Sequence, residues 1–86
     1  MYDLKIHRSV FKFLERREKN FLKKFKELLQ LIRKDPFKNP CDVTPLVNRK
    51  GHFRLRIGKY RFLYEVNKKE VFIYLYKADS RGGVYK

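Results

Sequence analysis

The stretch FRLRIGKYRFLYEV, residues 53–66, decides the fold of this chain. Large apolar side chains alternate with other residues on both sides of Gly58, which is the pattern of two β-strands joined by a two-residue turn. A type II′ turn with Gly58 first pairs Arg56 with Arg61 across the hairpin. Alternate side chains of a strand point to opposite faces, so one face is apolar and the other carries the arginines. The apolar face holds Phe53, Leu55, Ile57, Tyr60, Phe62, Tyr64 and Val66. The opposite face holds Arg54, Arg56, Arg61, Leu63 and Glu65.

A third strand is predicted over residues 71–77, after a polar turn at residues 67–70. Val66 is expected to oppose Val71, which extends both faces of the hairpin onto the third strand. On the apolar face, Phe62 then meets Leu75 and Tyr64 meets Ile73. On the opposite face, Arg61 meets Tyr76, Leu63 meets Tyr74 and Glu65 meets Phe72.

The first part of the chain is predicted to form a strand and two helices. Alternation over residues 2–6 indicates a short strand, and Ser9 is a candidate N-cap for the first helix. A corner is expected near Lys19, with Asn20 capping a second helix that stops before Pro36. Its apolar residues recur at the spacing of one helical face. That face is expected to cover the sheet rather than to bind a membrane surface or a partner.

Residues 36–51 contain all three prolines and no sustained periodicity, so they are read as a long surface connection. Residues 78–86 are read as a tail. The element order is therefore strand, helix, helix and three-stranded antiparallel meander. This order predicts an α+β fold in one domain, residues 1–86, with the helical hairpin on one face of the sheet.

The charge of the chain points to a polyanionic partner. Its 86 residues include 23 Lys and Arg against 9 Asp and Glu, a formal net charge of +14. Self-repulsion on this scale disfavours the folded state unless an acidic partner relieves it. Nucleic acid is the first expectation, and an acidic protein or an anionic membrane surface is the alternative.

Several site types are not expected from the sequence. Cys41 has no second cysteine for a disulfide, and with only His7 and His52 beside it no metal site or cofactor is expected. No signal peptide or transmembrane run is recognised, which predicts a cytoplasmic protein without a membrane partner. His52, placed in the loop before the hairpin, is expected to be solvated rather than functional.

The arginine face has an unfavourable feature for folding alone. Arginines directly opposite each other on antiparallel strands have Cβ atoms about 4.5 to 5.5 Å apart, and like charges there destabilise the sheet. Tyr74 and Tyr76 are predicted to flank Arg54, Arg56 and Arg61 on this face. Cations interleaved with aromatic rings are typical of surfaces that bind phosphates and stack bases of single-stranded RNA. The alternative is a solvated face on which the arginines pair with Glu65 or Asp79.

These residues resemble the RelE and ParE superfamily of toxins. The most specific match is a Gly-x-Tyr-Arg-x-x-Tyr pattern formed by Gly58, Tyr60, Arg61 and Tyr64, followed by the strand VFIYLYKA and the tail SRGGVY. The resemblance covers most of the chain and implies the fold described above. It also implies either a ribosome-dependent endoribonuclease that cuts mRNA in the A site, or a gyrase inhibitor without nuclease residues.

The resemblance to RelE-type nucleases assigns roles to five residues. Arg54 and Arg56 correspond to basic residues that orient the 2′-hydroxyl and phosphate, although relatives often carry Lys there. Arg61 and Arg81 are expected to neutralise the charge that develops on the phosphate during 2′-hydroxyl attack. Tyr85 is expected to stack on a base or to move a proton. Surface lysines are expected to contact ribosomal RNA, notably Lys23, Lys24 and Lys26.

The resemblance further implies a separate, acidic antitoxin of the RelB type as partner. The retained Arg81 and Tyr85 favour the RelE-type nuclease over a ParE-like gyrase inhibitor. A non-catalytic RNA-binding domain that uses the arginine face is the remaining alternative.

Overall fold

The computed structural model describes residues 1–80. Along the chain these residues form β1 (Asp3–Ile6), α1 (Arg8–Glu15), α2 (Lys19–Lys34), β2 (Val43–Pro45), β3 (His52–Ile57), β4 (Tyr60–Asn67) and β5 (Phe72–Ser80). The five strands form one sheet in the order β1-β5-β4-β3-β2. Strand β1 lies parallel to β5, and the other neighbours are antiparallel. The predicted α+β fold is confirmed.

Both helices cover the apolar face of the sheet, as predicted. The buried cluster joins Val10 and Leu14 of α1 and Phe25, Leu29 and Ile32 of α2 to the inward residues of β3, β4 and β5. Phe62 is fully buried at the centre, with the Phe25 ring 5.0 Å away. The apolar stripe of α2 is thus its core face, and no helix within residues 1–80 is long and apolar enough to cross a membrane.

The helix boundaries differ from the prediction by one to two residues. The N-cap of α1 is His7 rather than Ser9, because the His7 ring accepts a hydrogen bond from the Ser9 backbone N–H at 3.0 Å. The corner between the helices comes before Lys19, and Glu18 rather than Asn20 is the N-cap of α2. In this corner the Arg17 guanidinium stacks on the Phe13 ring at 4.3 Å.

The connection after α2 is more ordered than the sequence suggests. It contains the short strand β2, which pairs with β3 and makes one edge of the sheet. Its start is fixed by Tyr64, which is fully buried and donates a hydrogen bond to the Pro36 carbonyl at 3.0 Å. Burial raises the pKa of Tyr64, so this phenol stays protonated as a donor.

Candidate nucleic-acid interface

The β3–β4 hairpin builds the candidate site with the predicted register. Gly58 has a φ of 59°, a left-handed conformation that glycine adopts without strain. Ile57 pairs with Tyr60, Arg56 with Arg61 and Arg54 with Leu63. The three arginines Arg54, Arg56 and Arg61 therefore share the face of the sheet that the helices leave uncovered.

The pairing of β4 with β5 differs from the prediction. Val66 lies opposite Ile73 rather than Val71, because Val71 adopts a left-handed φ of 56° and the ladder begins one residue later. This shift of two residues preserves the faces. A β-bulge at Leu63/Tyr64 then changes the register again. In consequence Glu65 meets Tyr74, Leu63 meets Lys77 and Arg61 meets Asp79. Five predicted pairs are therefore wrong: Arg61 with Tyr76, Leu63 with Tyr74, Glu65 with Phe72, Phe62 with Leu75, and Tyr64 with Ile73.

Two carboxylates flank the arginine pair. Arg56 Nε lies 2.8 Å from Asp42 Oδ2, with both side chains about half exposed. On the other side of the pair, Asp79 is the cross-strand partner of Arg61. We call Asp42, Arg56, Arg61 and Asp79 the arginine row. The negative charges at both ends of this row reduce the like-charge repulsion between Arg56 and Arg61 that the sequence implies.

A second cluster lies at the other end of the same face. His52 Nδ1 is 2.9 Å from the Tyr76 hydroxyl, and His52 Nε2 is 3.6 Å from Glu65 Oε2. The Tyr74 and Tyr76 rings are neighbours, with centroids 6.0 Å apart. We call Glu65, His52 and Tyr76 the histidine cluster. Burial raises the pKa of Tyr76, opposed by the nearby charge of Arg49, and this keeps its hydroxyl protonated at neutral pH.

The prediction of a solvated loop histidine is wrong. His52 lies within β3 and its side chain is only 14% exposed. The prediction began this strand at Phe53, one residue after His52, whereas β3 includes His52. Its contact partner Tyr76 lies on β5, which is separated from β3 by β4 in the sheet. The sequence carries no signal for that contact.

The predicted lysines lie away from the arginine face. Lys23, Lys24 and Lys26 are exposed on α2, which packs on the opposite side of the sheet. One strand of RNA lying on the arginine face therefore does not meet them, and they form a separate cationic surface. Two other predicted site residues, Arg81 and Tyr85, lie outside the described residues.

Two known proteins are similar to this chain in sequence, and a third shares its fold. It is 35% identical over 86 residues to the protein named "Putative toxin RelE1" of Methanocaldococcus jannaschii, covering 99% of this chain and 96% of the relative. It matches a chain of the archaeal RelE-RelB complex from Pyrococcus horikoshii with a TM-score of 0.82 and 32% identity, over 95% of this chain and 97% of that chain. The isolated E. coli RelE toxin shares the fold, with a TM-score of 0.79 at 17% identity over 99% and 92% of the two chains. No protein-family model matches the chain.

Proposed function

The chain belongs to the RelE toxin family, and on that premise we propose that it is the toxin of a type II toxin–antitoxin system that cuts mRNA in the ribosomal A site. The reaction is attack of a ribose 2′-hydroxyl on the adjacent phosphorus, which leaves a cyclic phosphate and a free 5′-hydroxyl. Cleavage of translated mRNA would stop protein synthesis. This activity also places the chain in the cytoplasm.

The observation that carries this proposal is the uncovered arginine face. Arg54, Arg56 and Arg61 lie together on it, and the neighbouring Tyr74 and Tyr76 rings lie at the other end of the same face. Guanidinium groups bind phosphate oxygens in a bidentate manner, and tyrosine rings stack on bases. The face therefore offers both kinds of contact that a single RNA strand requires.

Each site residue has a proposed role. Arg61 and Arg81 neutralise the charge that develops on the phosphate, while Arg54 and Arg56 orient the phosphate and the 2′-hydroxyl. Tyr85 stacks on a base of the codon or moves a proton. Arg56 must exchange its contact with Asp42 for the phosphate, which is inexpensive because exposed ion pairs contribute only about 0 to 1 kcal/mol.

Dependence on the ribosome follows from the composition of the face and the position of the lysines. Arginine remains protonated at all physiological pH values, so the arginines orient and stabilise but do not accept protons. Such a site gains most from a substrate that the ribosome has already positioned. Lys23, Lys24 and Lys26 on the opposite surface are free to contact ribosomal RNA while the arginine face holds mRNA.

The proposed protein partner is an acidic antitoxin similar to RelB, on a separate chain. The Pyrococcus horikoshii relative was solved as a RelE-RelB complex. The net charge of +14 favours an acidic partner. An open apolar groove of about 450 Å³ between β1, α1 and α2 supplies an uncovered apolar surface, lined in part by Leu4, Phe11 and Leu22.

Mapping of mRNA 5′ ends by primer extension in a translation mixture tests the proposal. We expect cuts at A-site codons that require ribosomes and that fall at least about 100-fold in Arg61→Ala and Arg81→Ala, since each removes transition-state charge stabilisation. Arg16→Ala is the matched control, because it removes the same charge from the exposed helix corner. Folded wild-type protein that makes no cuts would reject the proposal. A supercoiling assay would then test gyrase inhibition, and RNA binding without cleavage would indicate a binding domain.

A further inference from the structure

The three side chains of the histidine cluster contact one another in the order Tyr76, His52, Glu65 on the arginine face. The Tyr76 hydroxyl meets His52 Nδ1 at 2.9 Å, and His52 Nε2 faces the Glu65 carboxylate at 3.6 Å. In the tautomer with Nδ1 unprotonated, the phenol donates its hydrogen bond to the imidazole. The order hydroxyl, imidazole, carboxylate is one that moves a proton away from a hydroxyl and stabilises the resulting imidazolium.

We propose that Tyr76 takes the proton from the attacking 2′-hydroxyl and passes its own phenolic proton to His52. This inference rests on the proposed RNA cleavage and names its base. Tyr76 is then a catalytic residue, whereas His52 and Glu65 act through it as positioning residues.

The arginine face needs such a group. Its guanidinium groups do not accept protons at neutral pH. Tyr76 alone is a poor base because burial raises its pKa and keeps it neutral. A neutral phenol accepts a proton only if it gives up its own at the same time. His52 Nδ1 is in place to receive that proton, and imidazole is the side chain best suited to do so near neutral pH.

The proposed step balances. The 2′-hydroxyl proton moves to Tyr76 Oη, and the Tyr76 proton moves to His52 Nδ1. The 2′-oxygen forms its bond to phosphorus while the bond from phosphorus to the 5′-oxygen breaks. The departing 5′-oxygen takes a proton from water, and His52 later returns its proton to solvent through Tyr76. No metal, oxidant or other reactant is required.

The groups around His52 set the sign of its effect on cleavage. Glu65 faces it from β4 at 3.6 Å, and the Glu65 side chain is 49% exposed, so its charge is partly screened. Tyr76 faces it from β5 at 2.9 Å, Arg54 lies two residues away on its own strand, and Arg49 lies in the preceding loop. Only unprotonated His52 accepts the proton from Tyr76, so cleavage should slow in acid.

The spacing of residues along β3 gives the distance from the histidine cluster to the arginines. Arg54 is two residues from His52 on β3, which is about 7 Å, and Arg56 is about 13 Å away. A ribose and phosphate held over Arg54 therefore face Tyr76 on one side and the arginine row on the other.

Single-turnover cleavage on preformed ribosome complexes tests the proposal. We expect Tyr76→Phe and His52→Gln each to lower the rate at saturating protein by about 100-fold or more, the usual contribution of acid–base catalysis. The concentration for half-maximal rate should change little in Tyr76→Phe, because the ring remains for stacking. The double variant should be no slower than either single variant, since the two groups act as one unit.

Matched controls separate chemistry from folding and from the proposed function. Tyr2→Phe removes a tyrosine hydroxyl on the helix side of the sheet and should cut at the wild-type rate. Circular dichroism and thermal melting check each variant, and His52→Asn provides a second replacement if His52→Gln does not fold. Dividing each rate by that of the wild type at the same pH removes the response of the ribosome itself.

The outcomes are distinct. Wild-type cleavage that slows in acid, together with a His52 variant that has lost this acid limb, supports the proposal. Because the chain has only two histidines, NMR can match the acid limb to the His52 imidazole. Full activity in folded Tyr76→Phe or in a folded His52 variant overturns the proposed roles of Tyr76 and His52. The proposed RNA cleavage is tested separately by the loss of activity in Arg61→Ala. Absence of cleavage by wild type overturns both.

Discussion

Replacement of Tyr64 by phenylalanine should destabilise the protein through one hydrogen bond. The Tyr64 side chain is 0% exposed, and its hydroxyl donates to the Pro36 carbonyl at 3.0 Å. Phenylalanine keeps the ring and its stacking on Phe53, where the centroids are 5.4 Å apart. The change therefore leaves a buried carbonyl oxygen without its donor, which costs about 1 to 2 kcal/mol.

Urea unfolding followed by circular dichroism measures this change. We expect a lower midpoint at an unchanged slope, and a fall in Tm of about 4 to 16 °C for a domain of this size. Tyr60→Phe is the matched control, because its ring is only half-buried and belongs to the same motif. Its effect should stay within about 0.5 kcal/mol. Equal stabilities of Tyr64→Phe and wild type at pH 7 would refute the reasoning.

Alkaline pH provides a second check on the Tyr64 hydrogen bond. Burial, followed by the charges of Cys41 and Asp35, raises the pKa of Tyr64 in the folded state. The unfolded chain loses this proton near the ordinary tyrosine value of about 10, whereas the folded chain retains it. Stability from the neutral phenol is fully present below about pH 10 and falls as pH rises above it. The gap between wild type and Tyr64→Phe should therefore narrow in alkali, and a widening gap would contradict the assignment.

Three further predictions concern charge and reactivity. Asp42→Asn should raise the affinity for single-stranded RNA, measured by filter binding at low salt, because it releases Arg56 from its ion pair. The free energy of unfolding should change by less than about 1 kcal/mol, and weaker RNA binding would contradict the prediction. Alanine at Lys23, Lys24 and Lys26 of α2 should lower the salt slope of ribosome binding by about 2 to 3, and an unchanged slope would place the contact elsewhere. Iodoacetamide should react more slowly with Cys41 than with free cysteine, because burial raises the pKa of the thiol, and urea should remove the difference.

The features predicted correctly depend on local spacing. The pairing of Arg56 with Arg61 followed from one glycine in a two-residue turn, because the turn fixes every pair along the hairpin. The buried face of α2 followed from the spacing of its apolar residues in the same way. The missed strand β2 has only three residues, too few for a period to show.

The errors arose where one residue left the regular geometry. Val71 takes a left-handed conformation that is rare for a β-branched side chain, and this moved the start of β5. The bulge opposite Leu63 added one residue to that shift of two, so Arg61 pairs with Asp79 rather than with Tyr76. Neither departure has a signal in the sequence, because each depends on the packing of the neighbouring strands.

The sequence by itself determined which residues share a face, because side chains alternate along a strand whatever its neighbours are. It thereby separated the core from the arginines of the arginine face. Only the tertiary structure decided which groups touch on that surface. Asp42 reaches Arg56 at 2.8 Å and Tyr76 reaches His52 at 2.9 Å because loops, bulges and strand order bring distant residues together. Hydrogen bonds act only over such short distances, so this chemistry depends on the assembled sheet.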